Sequence, residues 1–257
     1  MIHPKRAMLL AAGRGERMRP LTDKTPKPLL ELGGRSLAER ALDRLADAGV
    51  EEVVVNLHHL GEQLKERLKD YPGLRIYFSE EEELLDTAGG VAKALPLLGE
   101  EPFYVVNGDA VWLDGMQPAL LRLAKRWCDD AMDALLLLHP TVAAVGYDGP
   151  GDFRMTPSGR LLRRPEREIA PFAYTGVQLV HPRLFEGAPE GAFSFNLLWD
   201  QAIERERLYG VRHDGTWYHV GTPEALEMAQ EELAYDLGES EAWAHNVKAY
   251  YDPARSS

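Results

Sequence analysis

A short segment that combines glycines with positive charges is the part of the sequence best suited to chemistry. It reads Leu10-Ala11-Ala12-Gly13-Arg14-Gly15-Glu16-Arg17-Met18, and Lys27 follows between two prolines. Because glycine has no Cβ, the backbone around it can approach a phosphate closely, while arginine and lysine supply donors and charge. Residues 13–28 carry five cations and two anions, a local net charge of +3. We predict a phosphate-binding loop here, in preference to a solvated basic loop.

Two common phosphate-binding motifs do not match this segment. The Walker A motif needs Gly-Lys-Ser/Thr after a four-residue spacer, and no such sequence follows Gly13. The dinucleotide-binding motif G-x-G-x-x-G needs a third glycine at the position that Met18 occupies. The loop is therefore expected to bind phosphates in another way.

Apolar patterns predict which elements carry this loop. The six apolar residues at 7–12 are typical of a strand that is covered on both faces of a parallel sheet. The capping box Ser36-Leu37-Ala38-Glu39 begins a predicted helix, which ends at Gly49. Strands that alternate with helices indicate an α/β fold with a mostly parallel sheet. The other strands predicted in the first half are 53–55, 74–78 and 103–106, and the other helices are 60–68 and 89–98.

The predicted order of elements places two polar loops at the same edge of the sheet. The basic loop follows the first strand, and Asn107-Gly108-Asp109 follows the strand at 103–106. Ligands of parallel α/β sheets bind at the carboxyl ends of the strands, so both loops are expected to face one ligand. The acidic run at 80–83 is instead expected to be a solvated turn, because four carboxylates would repel an anionic ligand.

The second half of the chain has shorter strands, which glycine and proline interrupt. We predict that they extend the sheet in a mixed or antiparallel way and form a lid or a substrate region. The strands are predicted at 134–138, 153–155, 174–180 and 208–212, and the helices at 116–127, 195–203 and 223–233.

The composition of the 257-residue chain excludes several classes of protein. A hydrophobic fraction of 45% is ordinary for a globular protein, and a net charge of −12 argues against nucleic acid as the main partner. No apolar run approaches the roughly 18 residues of a membrane span, and the run at 7–12 is shorter than a signal peptide needs. The single cysteine, Cys128, has no disulfide partner within the chain. We expect a cytoplasmic protein without nucleic-acid or membrane partners.

The glycine-rich basic segment resembles the signature of the sugar-1-phosphate nucleotidyltransferases, L-A-A-G-x-G-x-R-M-x-P-L-T followed by P-K-P. The resemblance implies a Rossmann-like three-layer α/β sandwich with a mostly parallel mixed central sheet, of the nucleotide-diphospho-sugar transferase type. It covers about residues 5–235 and continues at Thr87-Ala88-Gly89-Gly90, Asn107-Gly108-Asp109, Tyr174-Thr175-Gly176 and 217–223.

The resemblance implies an enzyme that transfers a nucleotidyl group from a nucleoside triphosphate to a sugar 1-phosphate and releases pyrophosphate. Segments at 94–99, 151–154 and 191–193 favour UTP and N-acetylmuramate 1-phosphate, the substrates of a branch that serves bacterial cell-wall recycling. Mannose 1-phosphate with GTP, or glucose 1-phosphate with dTTP or UTP, are alternatives within the family. A non-catalytic nucleotide-sugar sensor is an alternative of another class.

The same resemblance divides the chain. It implies one domain over residues 1–237, with a nucleotide-binding half over about 1–110 and a sugar-binding half over 111–237. A polar tail follows over 238–257.

The resemblance also assigns roles to individual residues. Arg17 and Lys27 would be catalytic, with Arg17 on the departing pyrophosphate and Lys27 on the α-phosphate and the sugar phosphate. The loop at 87–90 would hold the base, because a glycine lets a flat ring lie against the backbone. Asn107, Asp152 and Gly176 would contact the sugar, although Asp152 could equally cap a turn and Asn107 could simply end a strand. The full nucleotide-binding set is Leu10, Ala11, Ala12, Gly13, Gly15, Glu16, Arg17, Lys27, Thr87, Gly89 and Gly90.

Asp109 is implied as the ligand of Mg²⁺, or of Mn²⁺ in its place. One departure from the family bears on this site, because His219 stands where the pattern W-x-D-x-G-T has its second metal-binding aspartate. Imidazole suits Mn²⁺, Co²⁺ or Zn²⁺ better than Mg²⁺. His219 could bind a softer metal, reach a phosphate through water, or leave the metal to Asp109 alone. Asp214 is a weaker candidate for the missing carboxylate.

Overall fold

The computed structural model describes residues 1–236, in which a central β-sheet separates two layers of helices. The strands are β1 (Arg6–Leu10), β2 (Glu31–Leu32), β3 (Arg35–Ser36), β4 (Glu52–Leu57), β5 (Arg75–Glu80), β6 (Phe103–Asn107), β7 (Ala110–Leu113), β8 (Ala134–Pro140), β9 (Phe153–Met155), β10 (Leu161–Arg163), β11 (Phe172–Val180), β12 (Leu208–Arg212) and β13 (Thr216–His219). The helices are α1 (Leu37–Asp47), α2 (Gly61–Leu68), α3 (Asp86–Leu98), α4 (Ala119–Arg126), α5 (Phe195–Glu204) and α6 (Pro223–Asp236).

The central sheet has nine strands and is mixed, as the sequence predicts. Its main path runs β10-β9-β11-β6-β1-β4-β5, and β8 joins β11 to β12. The pairs β1–β4, β1–β6, β4–β5 and β8–β12 are parallel. The strand β11 pairs antiparallel with β6, β8 and β9, and β10 pairs antiparallel with β9. Only β10 and β11 therefore run against the other strands of this sheet, so the predicted mostly parallel sheet is confirmed.

Both faces of the sheet are buried, which explains the continuous apolar runs of its inner strands. Ala7 and Leu9 of β1 pack on the face that α1, α2 and α4 cover. Met8 points to the opposite face, where α3 and α5 pack. Successive side chains of a strand alternate between faces, so a strand that is covered on both sides must be apolar throughout. The three-layer arrangement follows directly from this pattern.

The first helix begins and ends where the sequence predicts. The Ser36 hydroxyl accepts a hydrogen bond from the Glu39 amide at 3.2 Å, and the Glu39 carboxylate accepts one from the Ser36 amide at 3.1 Å. Beyond the helix, Gly49 has a φ of 82°. Positive φ at the residue after a helix favours glycine, so both predicted end signals of α1 are confirmed.

Several predicted elements need correction. Helix α3 begins at Asp86, so residues 87–90 are helical and do not form the predicted loop. The helix predicted at 116–127 is shorter and covers Ala119–Arg126. The antiparallel pair β7–β13 was not predicted, and it places His219 opposite Ala110, next to Asp109 in the chain.

Two other expectations concern regions rather than single elements. None of the helices within residues 1–236 has both the length and the apolar character that a transmembrane span requires. The tail predicted at 238–257 lies outside the described residues.

Candidate functional site

A cavity of about 540 Å³ lies at the carboxyl edge of the parallel strands. The ends of β1, β4 and β6 contribute Leu10, Asn56 and Asn107 to its lining. The predicted phosphate loop and the predicted metal-binding carboxylate thus face one space. The lining contains eleven of the residues that the sequence singled out, namely Leu10, Ala11, Ala12, Gly13, Gly15, Glu16, Arg17, Lys27, Thr87, Asn107 and Asp109.

The two glycines of the loop have different surroundings. Gly15 has a φ of 63°, and a Cβ there would lie 2.9 Å from Cγ2 of Thr22 and 3.1 Å from Cβ of Lys27. The Thr22 hydroxyl donates a hydrogen bond to the Gly15 carbonyl oxygen at 2.8 Å, so the loop folds back tightly on this segment. A Cβ at Gly13 would meet no atom within 4 Å. Gly15 therefore shapes the loop, whereas Gly13 leaves the cavity open.

The loop presents unpaired positive charge to the cavity. Arg14 and Arg17 line the cavity and are exposed, and within residues 1–236 neither forms an ion pair. Lys27 is much less exposed, and its ammonium group pairs with the Asp109 carboxylate. Uncompensated arginines beside backbone amides attract an anion with several phosphates, because each guanidinium offers forked donors.

A tight turn holds Asp109 at the mouth of β1 and β6. The Gly108 amide donates a hydrogen bond to the Leu10 carbonyl oxygen at 2.8 Å. A Cβ at Gly108 would lie 2.8 Å from that same oxygen, so only glycine fits between the two segments. The side chain of Asp109 is 36% exposed, which leaves its carboxylate accessible to a cation or ligand as well as to Lys27.

His219 lies next to the cavity but does not line it. Its ring stacks edge-on against Tyr147, with 5.4 Å between ring centroids, and lies over Gly221, which does line the cavity. Burial is the largest cause that lowers the pKa of His219, Lys27 and Arg17 lower it further, and Asp109 opposes them. The imidazole is therefore neutral at neutral pH and can act as a metal ligand.

The donor set around Asp109 fits one particular kind of metal site. Within residues 1–236, no three His, Cys, Asp or Glu side chains are grouped so that they could hold a metal by themselves. Asp214 does not supply a further carboxylate, because it pairs with Arg122. Mg²⁺ needs only one or two carboxylates when substrate phosphates and water complete its shell. Asp109, with the neutral His219 nearby, fits a metal shared with a phosphorylated ligand.

Residues 87–90 form the first turn of α3 instead of a loop, and the predicted base-holding role of this segment stays a prediction. A Cβ at Gly89 would lie 2.4 Å from the Gly191 carbonyl oxygen, and one at Gly90 would lie 2.7 Å from Oε1 of Glu81. Both glycines are buried and permit close packing within the protein, and neither lines the cavity. Thr87 does line it, while its hydroxyl accepts a hydrogen bond from the Phe195 amide at 3.1 Å.

The predicted sugar contacts are placed unevenly. Asn107 lines the cavity, whereas Gly176 and Asp152 are not among its lining residues. Gly176 has a φ of 86°, and a Cβ there would lie 3.1 Å from Cβ of Asn107, so this glycine supports the Asn107 wall. One carboxylate oxygen of Asp152 accepts a hydrogen bond from the Tyr174 amide at 2.8 Å. The hydrogen bond with the Tyr174 amide thus gives this oxygen a structural role. The predicted sugar contact of Asp152 stays a prediction.

Two buried polar residues, Asn56 of the cavity lining and its hydrogen-bond partner Glu81, were not predicted as functional. Asn56 lies at the end of β4 and is 3% exposed, and Glu81 follows β5 and is 5% exposed. The expectation that the acidic run at 80–83 is a solvated turn is therefore wrong for Glu81. A lone asparagine at the end of a valine run was the only sequence signal for Asn56.

Comparison with known proteins decides the family. A family model described as nucleotidyl transferase matches residues 6–147. This chain belongs to the nucleotidyl transferase family. It is 39% identical to the N-acetylmuramate alpha-1-phosphate uridylyltransferase of Caulobacter vibrioides, over 90% of this chain and 98% of that protein. It is 40% identical to the enzyme of the same name from Neisseria meningitidis serogroup B, over 88% of this chain and 96% of that one.

Structural comparison supports the same conclusion for the fold of this nucleotidyl transferase. A crystal structure of UDP-glucose pyrophosphorylase complexed with UDP-glucose superposes with a TM-score of 0.76. The match covers 90% of this chain and 99% of that chain at 16% sequence identity. The nucleotide-diphospho-sugar transferase fold that the sequence predicts is thereby confirmed.

Proposed function

We propose that this nucleotidyl transferase moves the uridylyl group of UTP to N-acetylmuramate 1-phosphate and releases pyrophosphate. The observation that carries the proposal is the Lys27–Asp109 pair, which lies in one cavity with a glycine loop and with Arg14 and Arg17, two cations that form no ion pair within residues 1–236. The names of the two relatives at 39% and 40% identity support the choice of base and sugar. In this role the protein would act in the cytoplasm and return cell-wall sugars to use.

The proposed reaction is an in-line displacement at the α-phosphorus of UTP. A phosphate oxygen of the sugar 1-phosphate forms the new bond to phosphorus, and the bond from the α-phosphorus to the bridging oxygen of the β-phosphate breaks. The attacking oxygen is already anionic, so no serine, cysteine or histidine nucleophile is needed. The protein must hold two anions in line and neutralise their repulsion, which is catalysis by position and charge.

The cations of the cavity suit these tasks. We assign Lys27 to the α-phosphate and the incoming sugar phosphate, because its ammonium group is held beside Asp109. We assign Arg17 to the β- and γ-phosphates, because it is exposed on the loop and unpaired within residues 1–236. Leu10, Ala11, Ala12, Gly13, Gly15 and Glu16 would surround the rest of the triphosphate.

Asp109 would hold a divalent metal that also binds the phosphates of the substrates. Bound there, Mg²⁺ or Mn²⁺ would supply positive charge to the reacting phosphates. Asp109 would be its main protein ligand, and the neutral imidazole of His219 is the second candidate. Because Asp109 also pairs with Lys27, its carboxylate would orient the ammonium group and the metal toward the same phosphate.

The remaining assignments concern the two ends of the substrates. We propose that Thr87 lies near the base and that Asn107 lies near the sugar, since both line the cavity. Gly176 and Asp152 would act behind that wall by supporting Asn107 and Tyr174. On this proposal residues 1–110 form the nucleotide-binding half and residues 111–237 the sugar-binding half, and the partners are these two substrates.

Pyrophosphate release tests the proposal directly. The assay would cover UTP, CTP, GTP and dTTP against N-acetylmuramate, mannose and glucose 1-phosphates, each with Mg²⁺ and with Mn²⁺. We expect release with UTP and N-acetylmuramate 1-phosphate. Release with GTP and mannose 1-phosphate would keep the mechanism and overturn the substrates. Nucleotide binding without release under either metal would favour the non-catalytic sensor, for which the replacement of the family aspartate by His219 is the one supporting feature.

A further inference from the structure

Among the residues that the structure describes, the buried carboxylate of Glu81 has no cationic partner. It is 5% exposed, and within residues 1–236 no arginine, lysine or histidine forms an ion pair with it. A buried charge is costly unless hydrogen bonds replace its lost hydration. Oε1 of Glu81 accepts a hydrogen bond from the Asn56 side-chain amide at 2.7 Å, and Oε2 accepts one from the Leu85 backbone amide at 3.0 Å. The Leu85 amide immediately precedes α3, where the helix dipole also favours a negative charge.

The same hydrogen-bonded path continues to the phosphate loop. Oδ1 of Asn56 accepts a hydrogen bond from the Ala11 backbone amide at 2.7 Å. The path therefore runs from Ala11 through Asn56 and Glu81 to Leu85. Gly90 leaves room for it, because a Cβ there would lie 2.7 Å from the Glu81 carboxylate and 2.8 Å from the Asn56 amide nitrogen.

The two ends of this path lie at two separate segments of the cavity lining. Ala11 lies in the phosphate loop, and Leu85 lies between Leu84 and Asp86, which line the cavity together with Thr87. One buried connection therefore links the loop to the first turn of α3. A nucleotide that contacts both segments depends on the distance between them, whereas a ligand that contacts the loop alone does not.

We propose that Asn56 and Glu81 form a positioning relay that holds the phosphate loop and the start of α3 at the spacing required by a whole nucleoside triphosphate. Glu81 acts through Asn56 and Leu85 and does not touch the ligand. The inference rests on the proposed function only in taking a nucleoside triphosphate as the occupant of this cavity.

The donors and acceptors of the relay suggest a sharp test. Both ends of the relay are backbone N–H groups, which can only donate. The side chains at 56 and 81 must therefore each accept one hydrogen bond from a backbone amide and form one donor–acceptor pair with each other. Asparagine at 56 with glutamate at 81 meets this condition, and the exchanged pair N56D/E81Q meets it equally. In Glu81→Gln one amide donor faces another donor, and in Asn56→Asp two carboxylates face each other. Each single variant breaks the match that the double variant restores.

Titration calorimetry in a single magnesium-containing buffer measures how each variant changes ligand affinity. We expect Glu81→Gln to weaken UTP binding about tenfold, the scale of a buried polar group left unmatched. Binding of inorganic tripolyphosphate should change less than about twofold, because the Asn56–Ala11 bond remains in place. N56D/E81Q should bind UTP more tightly than either single variant. If the single variants do not fold, the exchanged pair predicts that the double variant still folds and binds UTP.

Several results would overturn the relay. Equal weakening of UTP and tripolyphosphate by Glu81→Gln would indicate general damage to the phosphate loop. A changed preference among UTP, CTP and GTP would mean that Glu81 contacts the base. A double variant that binds UTP no more tightly than the single variants would show that the match of donors and acceptors does not control nucleotide binding. If the wild type binds UTP but releases no pyrophosphate with any sugar phosphate, the proposed function is wrong, and the relay can still be tested by UTP binding. If the wild type binds no nucleoside triphosphate, both the proposed function and the relay are wrong.

Discussion

The two walls of the cavity are built in opposite ways. The phosphate wall comes from one continuous segment, residues 10–18, to which Lys27 is added. The facing wall combines Asn107 and Asp109 with Gly221, more than a hundred residues away in the chain. The first wall therefore comes from a local motif. The second is complete only when the pairing of β7 with β13 brings Gly221 close to Asp109. The charge differs as well, because Arg14 and Arg17 belong to the first wall and Asp109 to the second.

The two walls meet at the pair between Lys27 and Asp109, whereas the relay through Asn56 and Glu81 joins the phosphate wall to the start of α3. The ion pair fixes the position of the Lys27 ammonium group in the cavity. The relay fixes the distance between the phosphate loop and the start of α3. A local motif can supply phosphate binding alone. Placing a second substrate against it requires these tertiary contacts, so the comparison predicts that each wall fails in its own way.

The largest effect is expected where the walls meet. Lys27→Ala and Asp109→Ala should each lower turnover by about a hundredfold or more, because each removes a charge that acts on the reacting phosphates. Steady-state pyrophosphate release measures the loss. Lys24→Ala is the matched control, since Lys24 is an exposed lysine of the same basic segment outside the cavity lining. Near-wild-type turnover in either main variant, or an equal loss in the control, would contradict the roles assigned to the pair.

Substitutions at Gly15 and Gly13 test separately whether the phosphate loop keeps its conformation and whether the nucleotide lies against it. Gly15→Ala should destabilise the protein by about 1–2 kcal/mol, because its φ of 63° disfavours a side chain and Thr22 lies within 2.9 Å of the new Cβ. Gly13→Ala should leave the melting temperature unchanged, since nothing lies within 4 Å of its Cβ position. The KM for UTP should rise in Gly13→Ala if phosphates occupy that space. An unchanged KM there would show that the nucleotide lies elsewhere.

How far the sequence predicts this molecule depends on whether a feature is local. The covered strands, the capping box at Ser36 and the glycine loop depend on neighbouring residues, and all three are found where predicted. The start of α3 was missed, because the 87–90 segment was interpreted as a loop that holds a base, while its glycines serve helix packing against Gly191 and Glu81. The sequence shows Glu81 as one of four successive glutamates, which predicts an exposed side chain. Its burial becomes clear only from the hydrogen bond with Asn56, a residue distant in the chain.

The second wall is harder to predict for the same reason. Its spacing in sequence carries no information about which residues become neighbours. The position of His219 opposite Ala110 follows from the register of β7 and β13, and neither strand was predicted. Gly176 was predicted as a sugar contact, and that role stays a prediction. In the structure a Cβ at Gly176 would lie 3.1 Å from Cβ of Asn107, a proximity that the sequence does not show. Residues of this wall are therefore identified by resemblance or by structure.

Asp152 offers a smaller test of the second wall. Asp152→Ala should lower the free energy of unfolding by about 1 kcal/mol, because the Tyr174 amide loses its acceptor. Asp152→Asn retains an acceptor of similar shape and should be close to the wild type in chemical denaturation. If Asp152 contacts the sugar instead, the alanine variant should raise the KM for the sugar phosphate without this loss of stability. The two readouts distinguish a support of the wall from a part of its binding surface.

The smallest expected effect concerns the ladder beneath the second wall. His213 is buried, and its Nε2 bridges the carbonyl oxygens of Leu113 in β7 and Thr216 in β13, at 3.0 and 3.3 Å. Burial is the main cause that lowers the pKa of His213 below its usual value, and His139 lowers it further. The unfolded chain therefore binds a proton at a higher pH than the folded chain does. The stability that the neutral ring contributes is complete well above pH 6.5 and declines as the pH falls below it.

This linkage can be isolated by a difference measurement. Between pH 8 and pH 6 the wild type should lose up to about 0.8 kcal/mol more unfolding free energy than His213→Gln, which keeps an N–H donor but does not titrate. Urea denaturation at both pH values, taken as the difference between the two proteins, removes the contribution of the carboxylates they share. Equal pH dependence in both would mean that the fold does not lower the pKa of His213. The pairing of β7 with β13 would then tolerate a protonated ring between the two carbonyl oxygens, and mild acid would not weaken the second wall through this residue.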